Sequence, residues 1–521
     1  MSPPESPART PWAIRAAGLV AVAAFLFLVA RFWHPVFGFT ALIQLDASND
    51  EIKLTAFREL PVYVHRDTGG YDGLYYAQLA LDPTLRNPQF PAAIDNFAYR
   101  ARRILPPALA WVLGAGRPEW IAQIYPLLNV AAWLALAAWL WRFLTVDSMR
   151  GWLAWFGVLF SAGALASVRL ALTDLIALAV LAGSLWAAER GHKKSAVGIC
   201  AAAALARETS VLALAGLVEL PWFSWKNVFR ALAGLVPLAA WLAYVRWRIG
   251  PADAGWGNFM FPGAGLVEKW RAALAATSTV NDKLIAWTTV LATLGLTVQA
   301  AFFVVRPRLD DRWWRVGAAY VGLMLFLGTA VWEDFPGAAM RVLLPLTLAF
   351  NVLACRVRAP LVWLVVGNLG VFAGLLAWRD TPFDGTELAA TRTGPVAAIV
   401  QTGEGWFPAE QHGRHRWQWS GARGTLHFET WPRSQSARFQ LNFALRSLNP
   451  RTVVLRQDGR EVWRGEVGEK LSPQSVVVPI APGHATLEFS TAAPSVRESP
   501  AADARSLAFA LYDFSLSVAE K

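Results

Sequence analysis

Long apolar runs separated by short polar gaps fill the chain up to about residue 380, and a strict apolar/polar alternation takes over beyond it. The runs fall near 12–33, 119–141, 151–170, 173–188, 195–221, 228–249, 283–305, 313–332, 339–355 and 360–378. Several approach or exceed the roughly 18 residues that an α-helix needs to cross a bilayer. Ile104 to Gly114 is shorter, about 16 Å of helix at 1.5 Å per residue, and reads as a half-inserted helix. The pattern predicts a polytopic α-helical membrane region of about 11 spans over 12–384. Residues 1–11, "MSPPESPARTP", form a disordered cytoplasmic lead, and 34–103 form a first extracytoplasmic loop with interfacial helices.

The tail alternates with period two: "ARFQLNFALRSL", "RTVVLRQDGREVWRG", "SVVVPI", "ATLEFS" and "SLAFALYDFSLSV". Turn signals such as Gln457-Asp458-Gly459 separate these pieces, which predicts a β-sandwich of about seven to nine strands over 385–521. Trp406, Trp417, Trp419 and Trp431 occupy strand-like positions; they can stack on sugar rings, but most read as core.

Composition agrees with a membrane protein: 55% of the 521 residues are hydrophobic and only 16% are charged. The net charge of +11 is spread over the ends of the runs rather than gathered in one basic domain, so it argues for topology and against a nucleic-acid partner. Arg9 and Arg15 before or within the first run place the N-terminus inside. "ERGHKK" (189–194), "SWK" (224–226), "RPRLDDR" (306–312) and "CRVR" (355–358) then fall on the cytoplasmic side if 195–221 is broken at Arg207 to Thr209. Cys200 and Cys355 lie inside apolar runs and offer neither a disulfide framework nor a thiolate metal site. No GxxxxGK[ST], HExxH or GxSxG motif occurs, so ATP-driven transport and zinc or serine hydrolysis find no support.

The charges left among apolar surroundings or on the outer side form a separate set. Intramembrane or membrane-edge charges are costly and face a cavity or a partner. In "RDTGGYDGLYYAQLALDP" (66–83), Asp67 and Asp72 precede a helical pattern; Asp72 reads most simply as an N-cap, and also as a general base for an acceptor hydroxyl. "YRARR" (99–103) supplies Arg100, Arg102 and Arg103, and "MRVLLPL" supplies Arg341. Such arginines bind lipid headgroups or clasp a phosphate. "RLALTD" and "ARETS" place Arg169, Asp174, Arg207 and Glu208 in apolar stretches, where the simplest role is mutual neutralisation, Arg207 with Asp174 or Arg169 with Glu208. Glu333 and Asp334 in "WEDF" are solvated loop acids or cation ligands.

Taken together, "GYDGLYYAQLALDP", "AYRARRILPPALAW", "RLALTD", "ARETS" and "RVLLPL" make residues 12–378 resemble the GT-C class of polytopic glycosyltransferases, which use polyprenyl-phosphate-linked sugars. It looks closest to bacterial members associated with cell-surface glycopolymer formation. The resemblance implies a GT-C-like membrane domain in the bacterial inner (cytoplasmic) membrane, its active site and C-terminal domain facing the periplasm or exterior. It implies transfer of a sugar from a polyprenyl-phosphate donor to a glycan or lipid acceptor by direct displacement with inversion. In these terms Asp72 is the catalytic base, with Asp67 as the alternative. Arg100, Arg102, Arg103 and Arg341 bind the donor phosphate, and Arg169, Asp174, Arg207, Glu208, Glu333 and Asp334 support the site. Some relatives use a paired-acid metal site, which leaves a divalent cation at Asp67 and Asp72 open. The rival readings are a lipid-linked sugar flippase or transporter, and a ligase or polymerase acting on diphosphate-linked glycans.

Overall fold

A computed structural model describes residues 12–144, 146–219, 221–251, 255–383, 385–499 and 504–519. The 1–11 lead and the expected domain boundary at 384 lie outside the described residues. The chain divides into two compact units: one of residues 1–32, 39–54 and 64–381, the other of 33–38, 55–63 and 382–521.

The first unit is helical, but the expectation of about 11 spans is corrected. Among the described residues only four helices are long and apolar enough to cross a membrane: Trp12–Ala30, Pro118–Phe143, Trp225–Ile249 and Lys283–Val305. A fifth span results if Met149–Leu159 and Ala162–Arg169, bent by 40°, count as one. The other runs are apolar enough but broken. Ser161 caps a new helix in the middle of 151–170, its side chain accepting from Ala164 N. The run 195–221 ends as helix at Ala206, passes through extended Arg207 and continues as the 3-10 helix Glu208–Leu217. The run 313–332 breaks at Leu327 and Gly328, and 360–378 splits into Leu361–Gly367 and Val371–Leu376. Asp174–Glu189, at 16 residues, reaches only about 24 Å, short of a hydrocarbon core of about 30 Å.

Helix Trp225–Ile249 leaves Val228, Phe229, Leu232, Leu235 and Val236 exposed, an apolar face suited to lipid. By contrast, Asp174–Glu189 is buried almost all round, as a core helix is. Ile104 to Gly114 becomes the nine-residue helix Leu105–Leu113, opened by Pro106 and Pro107 where prolines are tolerated.

In the second unit, one antiparallel sheet runs in the order Glu387–Thr393, Val396–Thr402, Arg423–Trp431, Gly483–Ser490, Arg451–Gln457, Arg460–Val467. The other runs Glu410–His412, His415–Ser420, Phe509–Val518, Ala437–Ser447, Ser472–Ile480, and Val496–Arg497 pairs separately with Ser506–Leu507. Among the described residues thirteen strands therefore replace the expected seven to nine. The period-two pattern points Phe439, Leu441, Phe443 and Leu445 inward to a core shared with Leu426, Phe428, Leu487 and Phe489 of the other sheet. The Asp458-Gly459 turn has φ of +49° and +81°, the left-handed pair a two-residue hairpin requires. Trp419 and Trp431 are buried, and Trp406 packs on the main core. Trp417 is half-buried, stacked on Tyr512 with ring centroids 5.1 Å apart.

Segments 33–38 and 55–63 belong to this β-unit. Val36 and Phe37 complete a small core with Ala397, Ile399 and Trp431, against which Tyr63 packs. His34 Nε2 lies 2.8 Å from Glu387 Oε2, and Arg392 Nη1 donates to Val36 O at 2.9 Å.

Candidate functional site

All the residues of the site lie in the helical unit. Segments 39–54 and 64–72 meet at a buried acid that the sequence did not single out. Asp46 accepts from Ser48 N and Oγ at 3.0 and 2.8 Å, and from Thr68 N and Oγ1 at 2.8 and 2.7 Å. Burial alone would raise its pKa, but these four donors outweigh it and hold the carboxyl well below the usual range. Beside it His65, 5% exposed, donates from Nε2 to Ala41 O at 2.8 Å. Burial pushes its pKa down to about 4, the Arg169 charge acting the same way against the opposing Ala41 carbonyl and Asp46. Asp67 stands at the exposed tip of this stapled loop with φ +57°. It makes no hydrogen bond or ion pair with the described residues and does not reach the site.

The short helix Gly73–Leu79 follows. A Cβ at Gly73 would stand 2.3 Å from Leu170 O and 2.8 Å from Ile43 O, so this close approach of three backbones demands glycine. Asp72 sits at the N-cap position but has helical φ and ψ, and its side chain makes no capping bond. The expected cap is absent because the carboxylate turns to Arg100, with Oδ2 2.9 Å from Nη1. Arg100 in turn clasps Asp95 through Nε (3.0 Å) and Nη2 (2.8 Å). One guanidinium thus fills the space between two carboxylates, ringed by Tyr75, Tyr76 and Tyr99 with centroids 5.1–5.9 Å away. Burial would raise the Asp95 pKa, but the bonds from Arg100 win and lower it.

Arg103 is buried and bonded through all three of its nitrogens. Nε and Nη2 form a fork to Glu208 at 2.9 and 3.0 Å, Nη1 donates to Tyr76 OH at 2.8 Å and Nη2 to Tyr99 OH at 3.1 Å. Asp174, 3% exposed, holds two arginines: Arg207, and Arg341 at 3.2 Å, whose Nη2 also donates to Tyr71 OH at 2.8 Å. Of the two expected neutralising pairs, Arg207 with Asp174 forms. Arg169 with Glu208 does not, since Arg103 has taken Glu208 and Arg169 donates to Gln44 Oε1 at 2.8 Å, lying over the Phe32 ring.

These groups enclose a cavity of about 550 Å³. Arg100, Arg102, Arg103, Arg207 and Arg341 line it against Asp72, Asp95 and Glu208, with Asp174 directly behind two of the arginines. The lining therefore carries an excess of positive charge. Arg169 lies outside it. Glu333 and Asp334 line a different cavity. Sequence reasoning missed the tyrosines 71, 76 and 99 as partners; only the shared helix face of Tyr71 and Tyr75 signalled them. The pattern Asp46-Ala-Ser48, which suits an Asx-turn, is the signal that could have found Asp46.

Among the described residues no three His, Cys, Asp or Glu side chains gather as a metal ion would require. Asp67 and Asp72 do not form a paired-acid site: the first is at a loop tip, and the second faces a guanidinium. What the arrangement can do is receive an anion among arginines beside a carboxylate, Asp72, whose Oδ1 makes no hydrogen bond with the described residues. Neither the models of known protein families nor the curated protein sequences contain a match to this chain.

Proposed function

We propose that the chain is an integral membrane glycosyltransferase that moves a sugar from a polyprenyl-phosphate donor to a glycan or lipid acceptor at the outer face of a bacterial cytoplasmic membrane. The observation that carries this reading is the pairing of Asp72 with a net-positive cavity of about 550 Å³. A phosphate-linked donor needs cationic groups where its leaving oxygen becomes charged, and an acceptor hydroxyl needs a base. In this reading Asp72 Oδ1 takes the proton of the acceptor hydroxyl, whose oxygen attacks the anomeric carbon. The bond from that carbon to the phosphate oxygen breaks, and the electron pair leaves with the phosphate into the field of the arginines. Attack opposite the leaving group inverts the sugar carbon. Arg103, with four of its five N–H groups on Glu208, Tyr76 and Tyr99, braces the wall, and Arg341 places two of its five on Asp174 and Tyr71. Arg102 is the arginine we assign to the phosphate itself.

The test is turnover by the full chain in lipid nanodiscs with polyprenyl-phosphate sugars, read as released polyprenyl phosphate by mass spectrometry. Asp72→Asn should lower turnover by about 10²–10⁴, the usual contribution of a general base. Its fold should survive because Arg100 keeps its two bonds to Asp95. Asp67→Asn should leave the rate unchanged. Full activity in Asp72→Asn overturns the assignment, and donor binding without any turnover in the wild type would favour a carrier of lipid-linked sugars.

A further inference from the structure

Four basic segments far apart in the chain meet at one end of the helical unit. Glu219 pairs with Lys193 at 2.7 Å and with Arg230 at 3.0 Å. Glu189 accepts from Arg356 Nη2 at 2.9 Å and from Trp313 Nε1 at 2.6 Å, and Arg315 Nη2 donates to Val218 O at 2.9 Å. Segments 189–194, 219–230, 306–315 and 356–358 carry eleven Lys or Arg against four Asp or Glu, so this end is strongly positive. Lys226 is exposed there and makes no hydrogen bond or ion pair with the described residues. With Arg230, one turn further on, it lines a cavity of about 380 Å³ together with Ser224, Asn227 and Glu219. Glu219 already faces two cations, which leaves the balance of this cavity positive.

Helix Trp225–Ile249 decides what lies against this end. Trp225, Phe229, Leu232 and Val236 recur at helical spacing and are all exposed, so an apolar stripe runs down the helix from its first turn. Phe223, just before it, is fully exposed. Trp225 and Trp247 are 78% and 79% exposed. They stand 22 residues apart, about 33 Å of helix, close to the roughly 30 Å of a hydrocarbon core. The two tryptophans thus sit where aromatic belts mark the two membrane interfaces. The Trp247 end adjoins the arginine cavity, since Trp241 Nε1 donates to Ala101 O at 2.8 Å and Tyr244 OH to Thr84 O at 2.6 Å. An apolar stripe that runs into cations fits an amphiphile with an anionic head. A free phosphate leaves the stripe uncovered, and a choline headgroup brings its own cation to a positive surface. We propose that this end of the helical unit docks an anionic phospholipid, its phosphate at Lys226 and Arg230 and its acyl chains along Trp225, Phe229, Leu232 and Val236, in the leaflet opposite the arginine cavity. The transferase reading is not needed for this docking.

The test uses the full chain in nanodiscs of phosphatidylcholine doped with a phosphatidylglycerol whose acyl chain carries a photoactivatable group, and maps cross-links by peptide mass spectrometry. Cross-links should concentrate in 222–236, and a phosphatidylcholine with the same chain should label that stretch far less. One lysine near an anionic surface contributes about 1 kcal/mol, or about fivefold in affinity. Lys226→Gln should therefore raise the phosphatidylglycerol needed for half-maximal labelling of 222–236 about fivefold and leave the phosphatidylcholine signal unchanged. Lys226 is exposed, so the variant should melt with the wild type. Inorganic phosphate at millimolar concentration should not displace the lipid. Equal labelling by the two lipids, labelling unmoved in Lys226→Gln, or displacement by phosphate each overturns the proposal. Labelling should persist in Asp72→Asn, and it should persist even if the wild type turns over no donor.

Discussion

Asp174→Asn is the sharpest structural perturbation of the arginine cluster. The side chain of Asp174 is 1% exposed, and it neutralises Arg207 and Arg341, themselves 11% and 8% exposed. Asparagine keeps the shape and one acceptor oxygen but removes the charge, leaving two buried guanidiniums with no carboxylate of their own. Glu208 compensates Arg207 only in part, because both its oxygens already accept from Arg103. Removing one partner of a buried pair costs about 3–5 kcal/mol, and the retained acceptor argues for the lower end. At about 2 °C per kcal/mol for a large unit, roughly 3 kcal/mol lowers the melting temperature by about 6 °C. Tryptophan fluorescence during thermal unfolding in nanodiscs reads this shift. The double variant Asp174→Asn with Arg207→Met removes one stranded charge and should recover part of the loss. A single variant that melts with the wild type, or a double variant that melts below the single one, refutes the claim that Asp174 anchors the cluster.

Gly73→Ala should destabilise by about 1–3 kcal/mol, because the new methyl meets two carbonyl oxygens that cannot rotate away. Gly198→Ala, inside helix Lys193–Ala206 with open space around it, should instead raise stability by about 0.5–1 kcal/mol; equal effects in a melt would refute the distinction. His65 has its folded pKa lowered from 6.5 to about 4, so the unfolded chain takes up the proton first and stability falls as pH drops through that window. The full effect is about 3 kcal/mol, and His65→Gln should flatten the slope of stability against pH between those values; an unchanged slope would show that His65 is not its source. A fragment of residues 385–521 lacks Val36, Phe37 and Tyr63 and should bind a hydrophobic dye at the uncovered Ala397, Ile399 and Trp431; a fragment that is monomeric and silent to the dye would contradict this packing.

How legible these features were depends on what each one costs the chain. Charges in apolar surroundings are expensive wherever they sit, so Asp72, Arg103, Asp174, Arg207, Glu208 and Arg341 stood out of the sequence and do converge on one cavity. Their pairing was not legible, because Arg169 and Arg103 compete for Glu208 on equal terms until the tertiary fold brings only one within reach. The span count failed for a related reason. Hydropathy rewards apolar residues whether their neighbours are lipid or other helices, so buried Asp174–Glu189 and lipid-suited Trp225–Ile249 look alike. The breaks at Ser161, Arg207 and Gly328 each alter a few residues within a long apolar average. What the structure changes most is the standing of the arginines. Read along the chain, Arg100, Arg102, Arg103 and Arg341 are four equivalent phosphate ligands. In the fold, Arg100 bridges two acids, Arg103 is bonded to Glu208 and two tyrosines, and Arg341 is bonded to Asp174 and Tyr71. An anion entering this cavity meets a wall already braced against its own charge. Its recognition then draws on the excess of guanidinium over carboxylate, with Arg102 on the phosphate, and Arg102→Gln should weaken donor binding.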